Sequence, residues 1–292
     1  MRLSVVITLL TGSGFCLALV LLAGCGNVPE PPDHPRLSPG VALDDVTFHS
    51  AALNREMQYR VILPASIEPG RKLPVVYLLH GAGGGFRDWS NYSDVSRFAE
   101  AGLILVMPEG DYSYFMNAAE RPQDRYEDYI VQDLAQDAGA KFPAASGRRN
   151  HAIIGVSMGG FGAIKIALSH PDLFAFAGAL SPAIDVPRRR FSIRRIQQSQ
   201  ALNSIFGTWG SATRRADDPF LIARSVYPAE APYLFLTCGD AESLLSPNRE
   251  FAAVLEHQHL QHEFHVVAGG HDWKQWNAQL PTLFQAMLRR ID

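Results

Sequence analysis

Three residue types in a suggestive order carry the chemistry this chain could perform. Gly155-Val156-Ser157-Met158-Gly159 follows the apolar run His151 to Ile154 and precedes a helical pattern. A glycine two residues either side of a serine suits a turn so sharp that a Cβ there would collide, with the hydroxyl projecting from its apex. A serine hydroxyl attacks a carbonyl only when a base removes its proton and a third group holds that base in one tautomer. His271, in the loop Ala268-Gly269-Gly270-His271-Asp272-Trp273, is the candidate base. Cys238-Gly239-Asp240-Ala241-Glu242 offers two carboxylates, Asp240 and Glu242, for the third role. The order Ser, acid, His is one of the known arrangements of such a triad.

The tetrahedral oxygen formed by that attack needs two backbone N–H donors. Met158, directly after the nucleophile, supplies one. The glycine-rich stretch His80-Gly81-Ala82-Gly83-Gly84-Gly85 supplies the other, assigned to Ala82. That stretch lacks the G-x-G-x-x-G or Lys-Ser/Thr pattern of a phosphate loop. Gly160 lets the following helix approach, and its N-terminal dipole favours developing negative charge.

The elements that must position these groups follow from periodicity. Strands are expected at Val46 to His49, Glu56 to Leu63, Pro74 to Leu79, Leu103 to Met107, Ala152 to Val156, Phe176 to Leu180, Tyr233 to Thr237 and Glu263 to Val267. Several are apolar at every position, as in parallel strands covered on both faces. Glu56 to Leu63 alternates, which suits an antiparallel edge. Helices are expected around Ser93 to Ala101, Tyr126 to Phe142, Gly160 to His170, Pro247 to His259 and Trp273 to Arg290. The alternation predicts a doubly wound α/β sheet. Pro182 to Pro232 is too long for a plain crossover and is expected to form a helical cap beside the site.

The motifs H-G-A-G-G-G-F-R-D-W, Y-E-D-Y-I-V-Q-D-L, G-V-S-M-G-G-F-G-A, C-G-D-A-E-S-L-L-S-P-N-R-E-F and G-G-H-D-W-K-Q-W arrive in order between Val46 and the C-terminus. Together they resemble the esterase D group of α/β-hydrolases, which includes S-formylglutathione hydrolases, feruloyl and tributyrin-type esterases, and mycolyltransferases. The resemblance implies an α/β-hydrolase fold and a serine esterase without a cofactor. It implies a triad of Ser157, Glu242 and His271, with Ala82 and Met158 as oxyanion donors. Glu242 lies where this fold places its acid, but the small esterases usually carry Asp there, so Asp240 stays in contention. An acyltransferase using the same triad, or a non-catalytic envelope-binding protein on this scaffold, are the alternatives.

The amino-terminal region reads differently. Arg2 followed by the apolar run Val5 to Ala23 resembles a secretory signal over residues 1–24. Leu22-Ala23-Gly24-Cys25 resembles a lipoprotein box, which predicts lipid on Cys25 and a place in the cell envelope, on the outer membrane. An uncleaved membrane anchor is the competing reading. Five prolines between Asn27 and Gly40 suggest that residues 25–40 form an extended tether, leaving 41–292 as the catalytic domain.

The remaining features narrow the partners. With 26 basic and 29 acidic residues the chain has a net charge of −3, so nothing favours nucleic acid. His257, His259, His262 and His265 crowd together but straddle a helix end and a strand start, so they read as surface residues and no metal is expected. Cys238 reads as a small buried residue rather than a reactive thiol. Tyr126, Tyr129 and Ile130 form a core stripe, while Trp89, Tyr114 and Phe115 are placed near the pocket mouth. Arg188, Arg189, Arg190, Arg194 and Arg195 read as a solvated face or as an attraction for anionic lipid headgroups or an acidic substrate.

Overall fold

The computed structural model describes residues 32–291. The signal segment and Cys25 therefore lie outside the described residues. Eight strands form one sheet in the order β1-β2-β4-β3-β5-β6-β7-β8. They are β1 Val41–Ser50, β2 Arg55–Pro64, β3 Val75–Leu79, β4 Ile104–Pro108, β5 His151–Val156, β6 Phe176–Leu180, β7 Tyr233–Gly239 and β8 His262–Val267. The first two pairings, β1 with β2 and β2 with β4, are antiparallel, and all others are parallel. The alternating segment Glu56 to Leu63 is thus antiparallel as expected but is not the edge, because β1 covers it.

The apolar strands bury both faces. Val75, Tyr77 and Leu79 of β3 point into one core, while Val76 and Leu78 point into the other. After β3 the chain crosses to β4 on one side, and β5 takes the other side. That reversal opens a crevice at the C-terminal strand ends, where α/β sheets bind ligands.

Ten α-helices flank the sheet among the described residues. They are α1 Asp88–Tyr92, α2 Ser96–Ala99, α3 Tyr126–Asp128, α4 Ala135–Lys141, α5 Met158–Ser169, α6 Ile196–Phe206, α7 Ala212–Ala216, α8 Pro219–Ile222, α9 Leu245–His257 and α10 Trp273–Leu288. The expected helix around Ser93 to Ala101 is only the short turn α2, and α1 precedes it. The stretch from α3 to α4 is continuous but widens into a π-helical segment, Tyr129–Leu134. Tyr126, Tyr129 and Ile130 are buried there, as their spacing predicts. Helix α5 is buried from Met158 to Leu168, so it runs through the core rather than along the surface. The segment from 182 to 232 is a helical cap built from α6, α7, α8 and short 3₁₀ turns.

The proline-rich stretch is not a free tether over its described part. Arg36 N donates to Ser90 O at 2.8 Å, Ser38 N to Ser96 Oγ at 3.0 Å and Gly40 N to Glu100 Oε1 at 3.0 Å. Asp33 makes the firmest attachment. Arg60, wholly buried on β2, donates Nη2 to Asp33 Oδ2 at 2.7 Å and Nε to Asp45 Oδ1 at 2.7 Å. A buried guanidinium is tolerable only when paired in this way. The prolines forbid helix here, and the exposed main chain finds its hydrogen-bond partners on the domain.

Candidate active site

The turn after β5 is as tight as the glycine spacing demands. Ser157 has φ of 53° and ψ of −110°, in the left-handed half of the map that a side chain occupies only under strain. The surroundings hold it there. Ser157 N donates to Leu180 O at 2.9 Å, and Ala183 N donates to Ser157 O at 3.1 Å. A Cβ on Gly155 would stand 2.1 Å from Gly159 O, and one on Gly159 would stand 2.3 Å from Leu79 O. Both distances are impossible for real atoms, so only glycine permits this turn.

The turn aims the hydroxyl at an imidazole. Ser157 Oγ lies 2.8 Å from His271 Nε2, and His271 Nδ1 lies 2.6 Å from Glu242 Oε2. With Nδ1 facing a carboxylate, the ring proton sits on Nδ1 and Nε2 accepts from the serine. The other carboxylate oxygen, Glu242 Oε1, accepts from Ser181 Oγ at 2.5 Å and from Gly239 N at 2.8 Å. Trp276 Nε1 in turn donates to Ser181 Oγ at 3.0 Å. Burial opposes ionisation of Glu242, but the bonds from His271, Ser181 and Gly239 outweigh it and hold its carboxyl below the usual range.

Asp240 does something else. Its carboxylate accepts from Gly269 N at 3.1 Å and so ties down the loop that carries His271. On the other side of His271, Asp272 accepts from Gln275 N at 2.9 Å, capping α10. The imidazole is therefore fixed from both sides along the chain. Its ring also meets Trp276 edge-on, with centroids 5.0 Å apart.

Ala82 and Met158, the residues assigned as oxyanion donors, both lie beside the serine. Ala82 lines both cavities that open beside Ser157. Met158 begins α5, where first-turn amides lack partners within the helix. The glycine-rich loop is anchored from below by His80, which is buried and whose Nδ1 lies 2.8 Å from Gly81 O. Burial disfavours the His80 cation, yet Glu109 beside it raises the imidazole above its ordinary value. Glu109 accepts from Phe86 N at 3.2 Å and from Gly110 N and Asp111 N at 3.0 Å each.

The two cavities differ in chemistry. One of about 320 Å³ is walled by Trp273 and Trp276 together with Asp88 and Asp272. The other, about 650 Å³, is bounded by Tyr112, Tyr114, Arg189, Arg195 and Gln198. Arg189 is held there by Asp185 at 2.7 Å. Of the aromatics assigned to the mouth, Tyr114 lines the larger cavity. Trp89 and Phe115 do not, because both are core residues, 1 % and 0 % exposed. Sequence reasoning misses Tyr112, Ser181, Trp276 and His80. Tyr112 and Ser181 reach the site through tertiary folding with no local spacing to mark them, whereas His80 and Trp276 stand within the motifs around the glycine loop and His271.

Two other readings meet the structure here. Cys238 is buried, and burial followed by the charge of Glu242 pushes its thiol up to about 12, which keeps it inert. His257, His262 and His265 bond to neighbours in their own segments rather than converging.

Comparison with known proteins gives a consistent picture. The family model described as "Putative esterase" matches residues 50–287. An acetyl esterase of Caldicellulosiruptor saccharolyticus is 23% identical over 268 residues, covering 86% of this chain and 100% of that one. Esterase Rv1288 of Mycobacterium tuberculosis is 29% identical over 253 residues, 77% of this chain. The match spans only 54% of that relative's length. Among solved structures, the fluorophosphonate-binding serine hydrolase FphF of Staphylococcus aureus superposes with a TM-score of 0.73 at 25% identity, covering 85% of this chain and 98% of that one.

Proposed function

This chain belongs to the Esterase family and is a carboxylic ester hydrolase of the α/β-hydrolase fold, and from that premise we propose that it works through an acyl-enzyme on Ser157. The hydroxyl adds to the ester carbonyl as His271 Nε2 takes its proton. The amides of Ala82 and Met158 stabilise the oxyanion, a contribution of about 2.7–4 kcal/mol per donor in comparable sites. The tetrahedral intermediate collapses, His271 returns the proton to the leaving oxygen, and the alcohol departs. Water then repeats the sequence on the acyl-enzyme and releases the acid. Glu242 stays ionised throughout and stabilises the imidazolium.

The observation that carries this reading is the unbroken chain Ser157–His271–Glu242, at 2.8 and 2.6 Å. A fluorophosphonate probe tests it. It is expected to modify Ser157 stoichiometrically in the folded protein, with ester hydrolysis lost in parallel. Labelling elsewhere, or hydrolysis that survives Ser157→Ala, would remove the assignment.

The larger cavity is polar and open enough to admit an acceptor hydroxyl, so transfer to an alcohol is a second outcome for the same acyl-enzyme. Product analysis with and without a sugar or glycerol acceptor separates the two. We further propose that Cys25 carries lipid and holds the domain at the cell envelope, a reading supported by Leu22-Ala23-Gly24-Cys25 after the apolar run. Two or more acyl chains suffice for stable attachment. Intact mass of the membrane-extracted protein is expected to match a chain starting at an acylated Cys25.

A further inference from the structure

The cap carries an unusual charge distribution. Between Asp185 and Asp217 the chain holds seven arginines and no carboxylate. Folding gives most of them partners. Arg188 pairs with Asp218 and lies over the Phe220 ring. Arg189 is held by Asp185, Arg214 bonds Asn203 and Arg215 bonds the carbonyl of Gly210. Arg194 and Arg195 are exposed and make no ion pair among the described residues. Arg190 lies 5.3 Å over the ring of Trp209, facing solvent.

Large apolar side chains are exposed on the same stretch. Ile193 is 83 % exposed, Trp209 52 %, Phe191 50 % and Ile196 46 %. These are not core residues left over, because α6 already buries Leu202, Ile205 and Phe206 on its inner face. Single exposed apolar residues are ordinary, but four interleaved with unpaired guanidinium groups are not. Ile193 and Ile196 flank Arg195 in the chain, and Arg195 and Gln198 belong to the wall of the larger cavity.

We propose that this rim of the cap docks on a bilayer surface bearing anionic headgroups. Apolar tips and an indole enter the boundary between headgroups and acyl chains, while neighbouring arginines pair with phosphates. Docking seats the mouth of the Ser157 cavity at headgroup depth, which favours esters partitioned into the membrane over esters in solution. The docking rests on the cap alone, and only this preference for substrate rests on the hydrolase mechanism.

Trp209 is itself the reporter, since Trp89 and Trp276 are buried and Trp273 is half-buried, and replacing Trp209 isolates its signal from theirs. The full chain is reconstituted into vesicles containing brominated phosphatidylglycerol or brominated phosphatidylcholine, and tryptophan emission is compared with that of Trp209→Phe. The expected result is Trp209-dependent quenching with phosphatidylglycerol, lost at high salt and lost in Ile193→Asp and in Arg194→Glu. Both variants should still hydrolyse a short soluble ester at the parent rate. Ser157→Ala should lose hydrolysis and keep the quenching, so failure of one proposal is distinguishable from failure of the other. Equal quenching in both lipids, or none in either, would overturn the docking. Self-association abolished by Ile193→Asp, without quenching, would assign the surface to a second copy and overturn it equally.

Discussion

The strand-end loops and the cap meet at Ser157 but are built on opposite principles. In the loops the functional groups are held by strand backbone or by side chains that directly follow a strand. Ser157 is fixed to Leu180, Glu242 to Gly239, the His271 loop to Asp240, and the glycine loop to His80. The cap instead contributes side chains from short helices and 3₁₀ turns, with much apolar and cationic surface left in water. The first region fixes one geometry for one reaction. The second leaves room for variation in what that reaction acts upon.

The sharpest test of this contrast is the acid. Glu242→Ala is expected to lower kcat by on the order of 10³–10⁴, whereas Asp240→Ala, which loosens the loop without removing the carboxylate from His271, should cost far less. Steady-state kinetics on one activated ester decides it, and the reverse ranking would hand the role to Asp240.

Glycines probe the same contrast through stability. Gly159→Ala forces a methyl to within 2.3 Å of Leu79 O, with no side chain able to yield. A loss of about 3 kcal/mol or more is expected in urea unfolding. Gly210 in the cap has φ of +79°, and a methyl added there would meet nothing within 4 Å. Its replacement by alanine should therefore cost only about 1 kcal/mol of left-handed strain. Comparable losses at the two sites would mean the cap is as tightly determined as the loops.

A smaller effect is expected at Ser181. Its hydroxyl joins Trp276 to Glu242 without touching substrate, so Ser181→Ala should lower kcat about tenfold at nearly constant KM, in line with one lost bond to a charged group. A change confined to KM would contradict this role.

Acid separates the regions most gently. Burial opposes the charges of Glu109, Glu127 and Glu242, but hydrogen-bond partners prevail and hold all three carboxyls below the usual range. The stability they contribute is full above the ordinary carboxylate range and is lost as pH falls through their lowered values. Asp217 in the cap is the reverse, since burial raises it against the pull of Lys165, and protonation there favours the fold. Asp88 beside the glycine loop, also raised by burial, is the exception on the sheet side. Below about pH 5, amide exchange should therefore quicken first around β7 and the Glu242 loop rather than around α7. Earlier loss at α7 would reverse the assignment.

How much of this is legible in the sequence follows the same division. The central strands β3 to β7 are marked by apolar runs, because a strand covered on both faces has few other compositions open to it, whereas β1 and β2 show themselves by alternation. Ser157, His271 and the glycine loop are legible because a sharp turn and a close backbone approach tolerate so few residues. Ser181 is not. It is an ordinary residue made important by a neighbour far along the chain, 61 positions away at Glu242. The cap is visible only as an excess of length. Its helices α7 and α8 span five and four residues, too short for a periodic pattern to emerge. Residues 33–40 mislead because proline content reports a lack of regular structure and says nothing about what the chain lies against.

The guanidinium of Arg60 gives that last segment a mechanical meaning. Any pull applied upstream enters the fold at Asp33 and passes through one planar cation into β2, with Asp45 of β1 braced on the same group. The outermost strand is thereby spared from being peeled off its neighbour. Strain reaching the chain at Asp33 would open that clasp before the sheet began to unzip.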